Sequence, residues 1–272
     1  PQEMRDQGAV VREIVKWDYE LPNAQVLEHT VDRALTVTMS EPKGPVYLTL
    51  PREVLAAPVE NFSYSSPSRR QPASAPFPDL DAIDRAADII AKAENPVIVC
   101  ASVGRDWSEP AALAALADVF AIPVTQRKPR YVALDSNHPM HLGYEPDAFI
   151  TEADAVIVIE CDVPWIPNKK APGRDTKIVH IGVDPLFSSY PMRSFASDLA
   201  ITGAAGPSMV ALAAALEMRK VAAKDRIEAR RKRIAERRAV QRQRWQAALE
   251  KAKHETPINP AWVTYCLDQV RG

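Results

Sequence analysis

With 272 residues, 46% of them hydrophobic and 25% charged, the chain has the composition of an ordinary globular protein, and no apolar run approaches the roughly 18 residues of a membrane span. Net charge is close to zero, and the three cysteines, Cys100, Cys161 and Cys266, lie far apart with no CxxC spacing that would hold a metal or form a redox pair. The expectation is a cytoplasmic protein with buried thiols, neither secreted nor inserted in a membrane.

The predicted elements begin with two helical stretches, 5–16 and 23–40, the second with Val26, Leu27, Thr30, Val31, Ala34, Leu35 and Thr38 at helical spacing. They are followed by "GPVYLTLPREVL", in which residues 46–50 read as one buried strand of the parallel kind. A lone strand with two helices cannot bury its faces, so this part (1–57) reads as the end of a domain whose other strands lie elsewhere. Residues 58–78, rich in Pro, Ser and Ala without hydrophobic period, read as an extended linker.

From residue 79 the pattern alternates. Helix 79–93, strand 96–101, helix 109–120, strand 122–125, strands 155–160, 177–182 and 199–202, and a helix from 207 predict a doubly wound parallel α/β sheet, a Rossmann-like domain over 79–218. Nine glycines against 24 prolines leave few for phosphate loops. A long basic helix follows within 219–256, with a narrow stripe of Val221, Ile227, Ile234, Trp245 and Leu249. Its interspersed glutamates favour a charge-laced connector that docks on a neighbouring surface over nucleic-acid binding. Residues 257–272 hold two prolines and an amphipathic helix that opens a further domain.

Taken together, "GPVYLTLPREVL", "NPVIVCASVG", "ALADVFAIPV", "NHPMHLGY", "ADAVIVIECDVPWIP" and "VHIGVDPLF", in this order, resemble the thiamine-diphosphate-dependent enzymes of the acetolactate synthase group. The resemblance implies a decarboxylase of 2-oxo acids or a ligase of the resulting fragment, with thiamine diphosphate and Mg in the intact enzyme and homo-oligomers that share active sites. It casts 1–57 as the remnant of a pyrimidine-binding domain, 79–218 as the central domain and 257–272 as the start of a diphosphate-binding domain. The activating glutamate of that family is expected upstream of residue 1. The Gly-Asp dipeptide of its diphosphate motif is absent from this sequence. No catalytic residue is assigned, and this chain alone is expected to bind no thiamine diphosphate. The other reading is a stand-alone nucleotide-binding or regulatory module of the same fold.

Ligands of open parallel sheets bind outside the carboxyl ends of the strands. The candidate crevice residues are Val103 and Gly104 after the first strand, Trp165 in "DVPWIP", and Asp184 as a ribose partner. Packing is the simpler role for Trp165 and a turn the simpler role for Asp184. In flavin-binding relatives comparable loops hold FAD, but the single glycine in "SVGRD" and the lack of the expected arginine after Glu160 disfavour it. ADP, coenzyme A or an empty crevice remain. His138 and His141 in "HPMH" lack a third ligand, so no metal site is expected.

Overall fold

The computed structural model describes residues 4–64 and 69–270, so Ser65 to Ser68, inside the expected linker, lie outside the described residues. The chain divides into two compact units, Pro1–Phe77 and Pro78–Gly272.

In the first unit, strands β1 (Trp17–Glu20) and β2 (Val46–Thr49) pair in parallel, and helix α1 (Leu27–Met39) connects them. A short helix, α2 (Arg52–Ala56), follows. The expected helix over 5–16 is replaced by one 3₁₀ turn, Gly8–Val10, and β2 is not a lone strand. Arg12 explains the difference. Its guanidinium donates to both Asp6 and Asp18 at 2.7–3.1 Å, which ties the segment to β1. Gly8 lies so close that a Cβ there would stand 2.2 Å from the Asp18 carboxylate. β1 escaped notice because its four residues, Trp-Asp-Tyr-Glu, are half-buried or exposed and give too short an alternation. Trp17 and Tyr19 stack on one side of the strand, with Arg33 of α1 over Trp17. β2 is likewise half-buried along its length, not covered on both faces as its apolar run suggested.

The second unit is a five-stranded parallel sheet in the order β4-β3-β5-β6-β7. Its elements are α3 (Leu80–Lys92), β3 (Pro96–Cys100), α4 (Glu109–Phe120), β4 (Val124–Gln126), α5 (Asp147–Ile150), β5 (Ala155–Ile159), β6 (Lys177–Gly182), β7 (Leu199–Thr202), α6 (Ala205–Glu217), α7 (Lys224–Ala252) and α8 (Pro260–Val270). This is the expected parallel α/β architecture. Strands β3 and β5 are buried throughout, as runs of Val and Ile predict for a sheet covered on both sides.

The covers differ. One face packs Ile98, Cys100, Ile157, Ile159, Val179 and Ile181 against α3, α4 and α6. The other packs Val97, Val99, Val156, Val158 and Ile178 against Ile150, Trp165 and Phe195, which come from α5 and from the irregular connections β5–β6 and β6–β7.

Helix α7 closes the amino end of the sheet. Ile227 and Ile234 join the helix-side core. Buried Arg230 donates to Phe120 O at 2.7 Å, Ala93 O at 2.8 Å and Glu94 O at 3.3 Å, carbonyls at the carboxyl ends of α3 and α4. Arg231 donates to Asp118 O, Arg233 to Glu94 O, Arg238 to Ser136 O and Gln241 to Leu142 O. Carbonyls at helix ends carry partial negative charge, so a row of arginines is the complementary partner. Arg226, Arg230, Arg231, Arg233 and Arg238 of the basic cluster thus donate to the protein's own backbone. Of the expected stripe, Ile227 and Ile234 are buried, Leu249 is half-buried, and Val221 and Trp245 are exposed. No helix among the described residues is long and apolar enough to cross a membrane.

Candidate functional site

Strand order reverses at β3, so the switch point lies between the carboxyl ends of β3 and β5, where parallel sheets bind ligands. Three loops meet there. Ser102 N donates to Glu160 O at 3.0 Å, and Arg130 N donates to Ala101 O at 2.9 Å. The Arg130 guanidinium reaches Ser102 Oγ at 3.1 Å and Asp162 Oδ2 at 2.8 Å. Tyr190, from the β6–β7 connection, donates its hydroxyl to the same Asp162 oxygen at 3.1 Å. Burial pushes the Asp162 carboxyl up, but the charge and hydrogen bond of Arg130 outweigh it and hold the group below the usual carboxylate range.

Below this bridge Arg193 is wedged between the rings of Phe187 and Phe195, 4.8 and 5.0 Å from their centroids. It donates to the backbone oxygens of Asp162 and Cys161. His180 donates from Nε2 to Ala196 O at 3.0 Å, and its Nδ1 faces Arg193 at 3.4 Å. Burial first, and the Arg193 charge in addition, push the imidazole down to about 4, so it stays neutral. Cys100 and Cys161 are buried thiols with raised pKa values, Cys161 to about 12, which removes them as nucleophiles.

All four expected crevice residues follow carboxyl ends of strands, but they do not converge. Val103 is buried in the helix-side core, and Trp165 packs edge-on against Phe195 at 5.1 Å in the opposite core layer. Gly104 adopts φ +101°, and a Cβ there would stand 2.5 Å from Val132 O, so a neighbouring loop already fills the approach to this backbone. Asp184 accepts from Ser188 N at 2.7 Å and Ser188 Oγ at 2.8 Å, which makes it a turn cap. The residues that organise the crevice are Arg130, Asp162, Tyr190, Arg193 and the buried Glu109. Of these, Arg130 and Asp162 lie in stretches legible as strand ends, whereas Tyr190 and Arg193 lie beyond them. Their pairing was not legible, because it joins residues about 30 positions apart.

Arg127, at the end of β4, is 9% exposed. Its Nε has no hydrogen-bond partner among the described residues, and Glu145 stands 3.9 Å from Nη1. His138 points Nε2 at Asp118, and His141 is buried beside Tyr144. Among the described residues no three His, Cys, Asp or Glu side chains converge as a metal would require.

Residues 83–212 match the family model for the central domain of thiamine pyrophosphate enzymes. Over 83–212 the sheet unit is thus similar to a thiamine pyrophosphate enzyme central domain. Over 164 residues the chain is 30% identical to the 2-succinyl-5-enolpyruvyl-6-hydroxy-3-cyclohexene-1-carboxylate synthase of Chlorobaculum tepidum, covering 53% of this chain and 28% of that protein. Over 180 residues it is 26% identical to the large subunit of Escherichia coli acetolactate synthase isozyme 1, covering 63% and 31%. In fold, the chain superposes on a solved structure from Mycobacterium smegmatis, described as "a putative thiamin diphosphate-dependent enzyme", with TM-score 0.61 and 22% identity over 78% of this chain and 41% of that one. The chain thus spans about a third of the length of these curated relatives.

Proposed function

We propose that the chain is the structural centre of a thiamine-diphosphate-dependent enzyme that decarboxylates a 2-oxo acid or transfers the resulting fragment to a second carbonyl. The observation that carries this reading is the family match over 83–212, inside relatives that extend far beyond it on both measures of length. In this reading 1–57 is the end of a pyrimidine-binding domain, 58–78 a linker, 219–256 a connector and 257–272 the start of a diphosphate-binding domain. Cofactor activation and magnesium anchoring then fall to parts outside 1–272, and intact copies associate.

The carboxyl end of the sheet supports a role among further domains. Trp107, Tyr131, Val132, Tyr190 and Met192 are exposed there on neighbouring loops, with Trp107 99% accessible. Apolar and aromatic groups gathered in this way suit a surface that another domain covers. Arg231, Arg233, Arg237 and Arg238 of α7 are engaged with carbonyls and a carboxylate, which supports a connector and not a nucleic-acid surface.

The test compares this 272-residue chain with the complete product of the reading frame that encodes it, each supplied with thiamine diphosphate, magnesium and a panel of 2-oxo acids. Carbon dioxide release by the longer product, with none above free cofactor for residues 1–272 alone, is the expected outcome. Turnover by the 272 residues alone, or a complete product that ends with them, would point instead to a stand-alone module.

A further inference from the structure

We propose that Glu109 is a built-in substitute for a ligand's anion, and that with Asp162 it closes the crevice of this domain to nucleotides and coenzyme A. In open parallel sheets a ligand phosphate sits on the N-terminus of the helix after the first strand, where backbone N–H groups and the helix dipole favour negative charge. The equivalent place here is the loop from β3 to the twelve-residue α4. Glu109, the first residue of α4, is only 6% exposed and turns its carboxylate back into that loop. Its Oε2 accepts from Gly104 N at 2.8 Å and, more weakly, from Asp106 N at 3.4 Å. Asp106 in turn accepts from Ser108 N at 2.9 Å and Ser108 Oγ at 2.6 Å. The donors that a phosphate would use are turned onto the chain's own carboxylates.

Two further features close the same crevice. The approach to Gly104 is taken by Val132 O. The guanidinium of Arg130, which would suit a second phosphate or a carboxylate, is held by Asp162, itself bridged to Tyr190. The loop order that elsewhere comes from a bound cofactor is supplied here from within. This concerns the crevice alone and holds whichever reaction the complete protein performs.

The experiment has two arms on the full chain. Calorimetric titration of the wild type with ADP, coenzyme A and FAD to about 1 mM, an affinity limit near 4 kcal/mol, is expected to give no saturable heat, and saturable binding of any of them overturns the proposal. Glu109→Ser is expected to lower Tm by about 3 °C or more, with saturable recovery on adding inorganic phosphate or pyrophosphate and none with chloride at equal ionic strength. An unchanged Tm, or equal recovery with chloride, overturns it. Should Glu109→Ser fail to fold, Glu109→Gln keeps the shape without the charge. Amide exchange at Gly104 and Asp106 should then quicken about tenfold relative to β3, and unchanged exchange at both overturns the proposal. Asp81→Ser, in the exposed first turn of α3, serves as the control that phosphate does not rescue.

Discussion

Each end of the five-stranded sheet buries an arginine, and the two are treated oppositely. At the amino end Arg230 gives five-donor chemistry three carbonyls at 2.7–3.3 Å, the ends of α3 and α4. At the carboxyl end Arg127 is also buried, at 9% exposure, but Glu145 stands 3.9 Å away and Nε has no partner among the described residues. Burial alone therefore says little about what a charge contributes; the acceptors decide. Even Arg230, whose pKa burial and the nearby Arg233 push down to about 10, remains charged at neutral pH, because that value still lies well above 7.

The sharpest way to break this comparison is Arg230→Met. The buried Phe120 O and Ala93 O would lose this donor, Glu94 O would keep only Arg233, and the expected loss is about 3–5 kcal/mol of stability, read as a fall in the denaturant midpoint. A loss below about 1 kcal/mol would mean that water or neighbouring arginines replace it.

Next comes acid. His180 is neutral in the folded chain with its pKa depressed to about 4, whereas the unfolded group titrates near 6.5. Its stabilising contribution is complete above 6.5 and is lost as pH falls from 6.5 towards 4, by about 3 kcal/mol in all. Denaturant melts between pH 7 and 4 should show this slope, and His180→Gln should flatten it. Asp162, depressed by Arg130 after its burial cost, adds a loss at lower pH still.

A smaller effect is expected from Asp162→Asn. Arg130 is 55% exposed, so solvent screens the pair. The expected cost is about 1 kcal/mol, together with a loosened β6–β7 connection visible as faster amide exchange at Tyr190. The smallest shift belongs to Arg127→Met, within about 1 kcal/mol of wild type and of either sign, measured in the same melts as Arg230→Met. A large loss there would show that Arg127 holds a stronger partner within this chain than Glu145 at 3.9 Å.

The same contrast marks what the sequence could tell. Strands such as β5 and β6 were legible to within a residue, because runs of Val and Ile between breakers describe a strand buried on both faces. The docking of α7 was legible in outline from Ile227 and Ile234, but not its cause, since nothing local says that Arg230 meets Phe120 O 110 residues away. The helix expected over 5–16 was lost because Arg12, Asp6 and Asp18 override the helical pattern through side-chain geometry. In the crevice, Trp165 and Asp184 were noticed for their local oddity, whereas Glu109, an ordinary helix-start glutamate by sequence, does the organising.

Helix α7 also behaves as a clamped beam. Its 29 residues extend about 44 Å at 1.5 Å per residue. Side chains from Arg226 to Arg242 bind it to the sheet unit, and the ring of Trp245 lies against Gly143. Only the last two turns overhang, so tilting the beam means releasing grips spread over about 29 Å of its length. Its far end, where Ala252 is buried and α8 begins after a short connection, inherits a bearing set at the amino end of the sheet.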